Sequence, residues 1–266
     1  MNLGTRATTG ARTAARLAVL LIGVSPAHPE VALTARRAGH MLVLNQVFLD
    51  GAGPFRMMVD TGNASSLIRP DIARRLGLRP AYAVEQATLT GVRRVPTALV
   101  GELRVGECSE RSVEMMIGEV RLPGLDGVLG QSWLARHDYL LDYRHNRLVL
   151  DGAPPEGIRV ALRTADGCPS VLAEIDGRPA EVALDSGAQV LVLFEKPATA
   201  DIVLLTNAGS GRGRTGVARI RFERGRERPV AAAWVRMPWP GPPLLPLSAF
   251  PAVHVSNHGG FVVFAP

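Results

Sequence analysis

Asp60 and Asp185 each close a run of apolar residues, and each is followed by a small hydroxyl residue and a glycine: Met57-Met58-Val59-Asp60-Thr61-Gly62 and Val182-Ala183-Leu184-Asp185-Ser186-Gly187. A strand that ends in Asp delivers its carboxylate rigidly. The Thr or Ser hydroxyl can hydrogen-bond across to a partner loop, and the glycine lets that loop pass close by. Taken singly, either tripeptide is an ordinary turn. The two nevertheless lie in register within a longer repeat, residues 54–68 against residues 179–193 without a gap. A pseudo-twofold axis relating the copies would set two carboxylates face to face, an arrangement that turn chemistry does not require. Like charges held that close cannot both ionise cheaply, so one carboxyl keeps its proton and the other acts as a base. A water held between them can then be deprotonated by one Asp while the other polarises a carbonyl, which is general acid–base hydrolysis without a covalent intermediate.

The elements that must position these groups follow the same repeat. Each copy is preceded by an Asp-Gly turn, Asp50-Gly51 and Asp176-Gly177. Each also runs into an apolar pair and a helix-like turn with Ser: Val128-Leu129-Gly130-Gln131-Ser132 and Leu244-Leu245-Pro246-Leu247-Ser248. A closing β pair is expected in both copies, over residues 139–150 and 253–264. Between these points, short β-rich runs bounded by Gly, Pro, Asp and Asn recur from residue 41 onward, and helical periodicity is scarce. Two helices are expected, at residues 70–76, with Pro early and Gly77 as a stop, and at residues 132–136. The fold class is therefore all-β: two pseudo-twofold-related, β-barrel-like lobes with short helices and a site at their interface. The expected boundaries are an N-terminal segment at 28–40, lobe one at 41–150, a Pro- and Gly-rich linker at 151–157 and lobe two at 158–266.

The 266 residues, 47% of them apolar, suffice for a core and exclude collagen, coiled coil and wholesale disorder. The net charge of +6 suggests a polyanion partner until the arginines are located. Arg6, Arg12 and Arg16 precede the apolar run of residues 17–24 and Ser25-Pro26-Ala27, the pattern of a secretory signal peptide over residues 1–27. That apolar run is too short to span a bilayer. The seven arginines from Arg212 to Arg228 read as the solvent face of alternating strands and form no stripe interleaved with aromatics, so no nucleic-acid partner and no stable membrane insertion are expected. Export to the periplasm or beyond is the expected location. Cys108 and Cys168 form no disulfide framework, and sequence leaves both a bridge and two separate thiols open. The run Gly209-Ser210-Gly211-Arg212-Gly213 lacks the Lys and Ser/Thr of a phosphate loop. His254 and His258 lack a helix and a glutamate between them, and Ser132 lacks the second glycine of a nucleophile elbow. No metal ligands and no cofactor are read from the sequence.

With these residues in view, the chain resembles the clan of pepsin-like and retropepsin-like aspartic proteases, and within it the exported retropepsin-like proteins of bacteria. Residues 55–68 resemble the active-site loop, residues 70–77 the helix that follows it, and residues 124–134 the segment that backs the loop. The resemblance implies an aspartic endopeptidase with Asp60 and Asp185 as catalytic residues and Thr61, Gly62, Ser186 and Gly187 as loop support. It also implies a flap near Thr90 and Gly91, a second, glycine-rich one containing Gly209, and an extended peptide as substrate. Departures are Pro246 in place of a glycine, Asn63 where a small residue is commoner, and no Tyr at the first flap. A monomer is expected. The alternatives are a homodimer built on lobe one with lobe two degenerate, and a peptide-binding module without turnover.

Overall fold

The structure is a computed structural model that describes residues 30–88, 91–195, 202–206, 209–223, 225–237, 239 and 241–266. Residues 1–27, read as a leader, and Thr90, expected at the first flap, lie outside the described residues. Among the described residues, twenty-two strands form three sheets, accompanied by three short helical segments. The first copy comprises β1 (Val31–Thr34), β2 (Arg36–Ala38), β3 (Met41–Leu49), β4 (Ala52–Val59), β5 (Ser66–Ile68), α1 (Pro70–Arg75), β6 (Tyr82–Thr88), β7 (Gly91–Val105), β8 (Cys108–Ile117), β9 (Gly127–Leu129), α2 (Gln131–Leu134), β10 (Tyr139–Asp142) and β11 (Arg147–Leu150). The second comprises β12 (Ile158–Ala161), β13 (Arg163–Ala165), β14 (Cys168–Ile175), β15 (Arg178–Asp185), β16 (Leu191–Leu193), β17 (Ile202–Thr206), β18 (Gly209–Arg221), β19 (Arg228–Val235), β20 (Leu244–Pro246), a 3-10 turn (Leu247–Ala249), β21 (Ala252–Ser256) and β22 (Phe261–Phe264).

The two copies share one plan. Lobe one carries an eight-stranded sheet in the order β2-β3-β4-β9-β5-β8-β7-β6, and lobe two repeats it as β13-β14-β15-β20-β16-β19-β18-β17. The long strands β7 and β18 bend back onto β3 and β14 and curl each sheet toward a barrel. The third sheet belongs to both lobes. Its order, β1-β11-β10-β21-β22-β12, is itself symmetric, with β10 and β21 antiparallel at the centre from Tyr139↔Val255 to Asp142↔Ala252. Residues 28–40 contribute β1 and β2, whose counterparts in the second copy are β12 and β13, so the repeat extends upstream of residue 41.

Local sequence explains how each Asp-bearing strand is aimed. Asp50-Gly51 and Asp176-Gly177 both adopt left-handed backbone, with φ of 48° and 78° in the first and 49° and 77° in the second. This is the two-residue turn that matches strand twist and favours Asp-Gly. Each Asp then pins its hairpin to the long strand beside it: the Asp50 carboxylate accepts from the Glu102 amide at 2.8 Å, and that of Asp176 accepts from the Arg219 amide at 2.9 Å. Helix α1 starts on Pro70, carries Asp71 in its first turn and Arg74 and Arg75 in its last, and buries Ile72 and Ala73. Met57, Met58, Met115 and Met116 are buried strand residues. Buried side chains from both lobes, including Trp133, Leu141, Val253 and Phe264, form one continuous cluster. Among the described residues no helix is long and apolar enough to cross a membrane.

Because β10 and β21 join the lobes, damage at their contact should be felt by both. Leu141, fully buried opposite Val253, is predicted to cost about 2–5 kcal/mol when changed to Ala. Urea unfolding followed by tryptophan fluorescence and by far-UV circular dichroism should give one coincident transition at a lower midpoint. Separate transitions for the two probes would contradict the shared core.

Candidate active site

Strands β4 and β15 run parallel to β9 and β20 and end side by side at the lobe junction. The loops that follow exchange hydrogen bonds across the pseudo-twofold axis. The Thr61 hydroxyl donates to the Leu184 carbonyl (2.7 Å) and accepts from the Ser186 amide (3.0 Å). Reciprocally, the Ser186 hydroxyl donates to the Val59 carbonyl (2.8 Å) and accepts from the Thr61 amide (3.0 Å). Both residues are buried, so these four bonds satisfy backbone groups that water cannot reach.

The two glycines explain how the carboxyls come together. A Cβ on Gly62 would stand 2.6 Å from Cγ of Asp185, and one on Gly187 would stand 3.0 Å from Cγ of Asp60. Each glycine is thus the floor of the opposite carboxyl, and a side chain at either would drive the pair apart. Asp60 and Asp185 each lie against the other loop's glycine, and like charges held this close cannot both ionise cheaply. Burial, followed by the charge of Asp185, pushes Asp60 well above its ordinary value of 3.8. Burial also raises Asp185. The donors are unequal: Oδ1 of Asp185 accepts from the amides of Gly187 (2.8 Å) and Ala188 (3.1 Å), whereas Oδ1 of Asp60 accepts only from that of Gly62 (3.0 Å). His40, in the β2–β3 turn, donates from Nε2 to the Gly187 carbonyl (2.9 Å), and its charge further favours the ionised form of Asp185. The better hydrogen-bonded Asp185 therefore favours the negative charge and Asp60 the proton.

Other residues read from the sequence have definite places. Gly91 opens β7 opposite Thr88, and Gly209 opens β18 opposite Thr206, so each stands beside a hairpin tip. The first hairpin is tied to the site: Gln86 on β6 donates from Nε2 to Oδ1 of Asn63 (3.4 Å) and accepts from Nε of Arg93 (2.8 Å). The unusual Asn63 is thus a contact between loop and hairpin. Pro246 also has a partner change. In lobe one the Gly130 amide donates to Oγ of Ser66 (3.1 Å), whereas the second copy has Leu191 where the first has Ser66 and Pro246 where it has Gly130. Donor and acceptor have been lost together, and no polar group is orphaned by the exchange. Cys108 and Cys168 are separate thiols. Cys168 lies close enough to the site that burial and the charges of Asp60 and Asp185 push it up to about 12. His40 and Gln86 carry no sequence signal of their own, because their neighbours come from the other lobe and from a hairpin fold-over.

Residues 45–136 match the family described as "gag-polyprotein putative aspartyl protease". None of the curated proteins matches the chain. Among solved structures, a retropepsin-like aspartic protease from Rickettsia conorii is similar at 20% identity and a TM-score of 0.35, over 46% of this chain and 89% of that one.

The exchange of bonds across the axis is testable by Thr61→Val, which keeps the shape but strands the Leu184 carbonyl and the Ser186 amide. The expected cost is about 2–5 kcal/mol in denaturant unfolding, against about 1 kcal/mol for Thr61→Ser. Equal small losses would show that the hydroxyl is dispensable. The dyad also predicts a pH dependence. Both carboxyls hold protons more tightly folded than unfolded, so their burial costs nothing below 3.8 and destabilises the fold increasingly as pH rises through the raised values. Asp60→Asn should therefore be more stable than wild type at neutral pH, with the gap closing on acidification. A variant less stable than wild type at pH 7 would contradict the assignment.

Proposed function

We propose that the protein is an aspartic endopeptidase in which Asp185 deprotonates a water and Asp60 protonates the scissile carbonyl oxygen. The observation that carries this reading is the buried carboxyl pair, one from each lobe, held by reciprocal Thr61 and Ser186 bonds. The match of residues 45–136 to an aspartyl protease family supports it. Water attacks the peptide carbon as its proton moves to Asp185, while the Asp60 proton moves to the carbonyl oxygen. On collapse of the tetrahedral intermediate Asp185 passes its proton to the leaving nitrogen while a hydroxyl of the intermediate returns its proton to Asp60, so the carboxyls again share one proton. Metal and cofactor have no part in these steps. The β6–β7 and β17–β18 hairpins are the elements proposed to hold an extended peptide as an added strand, and Gln86 and Asn63 couple the first of them to the catalytic loop.

Because both carboxyls come from one chain, the geometry favours a monomer over a dimer of first lobes. The compensated change at Leu191 and Pro246 argues against reading lobe two as degenerate. The leader pattern in residues 1–27 supports export.

Peptide-library cleavage provides the test. Asp60→Asn and Asp185→Asn should each lower kcat/KM by about 10²–10⁴-fold or more in a protein that sediments as a monomer. The wild-type profile should be bell-shaped, with an acid limb set by Asp185 and an alkaline limb set by Asp60, both above the ordinary carboxylate value. Activity surviving Asp185→Asn would remove lobe two from the chemistry, and an inert wild type would favour a peptide-binding module.

A further inference from the structure

A second cluster of reactive side chains lies in lobe one, where the β7–β8 hairpin, the end of α2 and the end of β11 meet. Cys108 and Glu110 stand two apart on β8 and therefore face the same side. His137, in the turn after α2, is buried against them. Its Nε2 is 3.6 Å from Sγ of Cys108 and 3.7 Å from Oε1 of Glu110, and the three donor atoms all lie within 4.8 Å of one another.

We propose that Cys108, Glu110 and His137 bind a zinc ion, with the fourth position open to solvent. The spacing fits the metal. Tetrahedral zinc with bonds of about 2.3 Å to sulfur and about 2.05 Å to nitrogen separates those two donors by about 3.6 Å, the distance seen here. Nitrogen and carboxylate oxygen would stand about 3.3 Å apart, against 3.7 Å here, so Glu110 moves inward on binding. One thiol, one imidazole and one carboxylate suit a borderline-soft cation better than magnesium or calcium.

The surroundings hold each ligand as a metal site requires. Nδ1 of His137 is 3.1 Å from Oδ2 of Asp151, which fixes the proton on Nδ1 and leaves Nε2 as a free lone pair. Oδ1 of Asp151 in turn accepts from the Asp138 amide at 3.0 Å. Arg136 donates to Oε2 of Glu110 at 3.1 Å and to the carbonyls of Arg111 and Ser112, so Oε1 is the oxygen left facing the histidine. The Trp133 ring packs edge-on to the His137 ring, centroids 5.5 Å apart.

Charge points the same way. Two carboxylates surround the thiol and imidazole, and the single arginine engages the outer oxygen of only one of them. A divalent cation resolves the excess. It forms the sulfur–zinc bond as the thiol releases its proton to solvent, with no change of oxidation state.

The test is cobalt and zinc titration of the reduced, chelator-treated full-length protein. Wild type should bind one cobalt per chain with thiolate-to-cobalt charge-transfer absorption, which zinc abolishes on displacing it. Cys108→Ser should lose the band and weaken zinc binding at least tenfold. Asp151→Asn should keep the band and weaken zinc 10–100-fold. Cys168→Ser should bind as wild type does. Glu110→Gln, at a partly exposed position, supplies a second ligand variant and should also lose at least tenfold in zinc affinity. Absence of the band in wild type at millimolar cobalt, or its survival in Cys108→Ser, would overturn the proposal.

Discussion

Everything near the lobe junction depends on four hydrogen bonds that cross it. Thr61 and Ser186 each give a hydroxyl proton to the other lobe's strand and take an amide proton from the other lobe's loop. These buried backbone groups take their partners from the opposite loop, so the two loops approach to one fixed separation. That separation places a glycine of each loop beneath the carboxyl of the other. Burial of the pair raises both carboxyls, and the charge of Asp185 raises Asp60 further. The six-stranded sheet formed by both lobes supplies the rigidity that keeps the loops from drifting apart.

Symmetry accounts for the architecture, and small breaches of it account for the chemistry. Two identical carboxyls related by a true twofold would share the proton equally. Here Asp185 has two amide donors and the nearby His40, while Asp60 has one amide. His40 owes its place to the β2–β3 turn reaching across to lobe two. The turn at the same place in the second copy, Asp166-Gly167, reaches back toward Ala64, but its residue at the His40 position is a glycine. The same copy-to-copy divergence turned the Ser66–Gly130 bond into an apolar Leu191–Pro246 pair.

Much of this was legible in the amino-acid sequence. The Asp-Gly turns, the ungapped repeat and the hydroxyl-glycine pair after each Asp are local signals, and together they imply the two-lobed all-β plan and the meeting of Asp60 with Asp185. What was not legible depends on contacts between distant segments. Residues 31–38 have little hydrophobic pattern, and their strands exist because Arg147–Leu150 and Met41–Val43 offer edges to pair with. Leu99–Val100 and Leu103–Val105 read as two short runs, yet they belong to one long β7 that is held by three neighbours. Asn63 looked like a departure until Gln86 was found beside it. Cys108, Glu110 and His137 share no motif, since the helix that brings His137 to β8 comes from packing and not from spacing.

The central claim is that Asp60 and Asp185 share one proton in the folded monomer. Carboxyl carbon chemical shifts of the two residues, followed by NMR from acid to alkaline pH in the ¹³C-labelled protein, test it directly. The account predicts two linked transitions, both above 3.8, with an interval between them in which one proton is bound to the pair and held chiefly on Asp60. Two independent titrations near 3.8, with both carboxyls ionised at neutral pH, would contradict it.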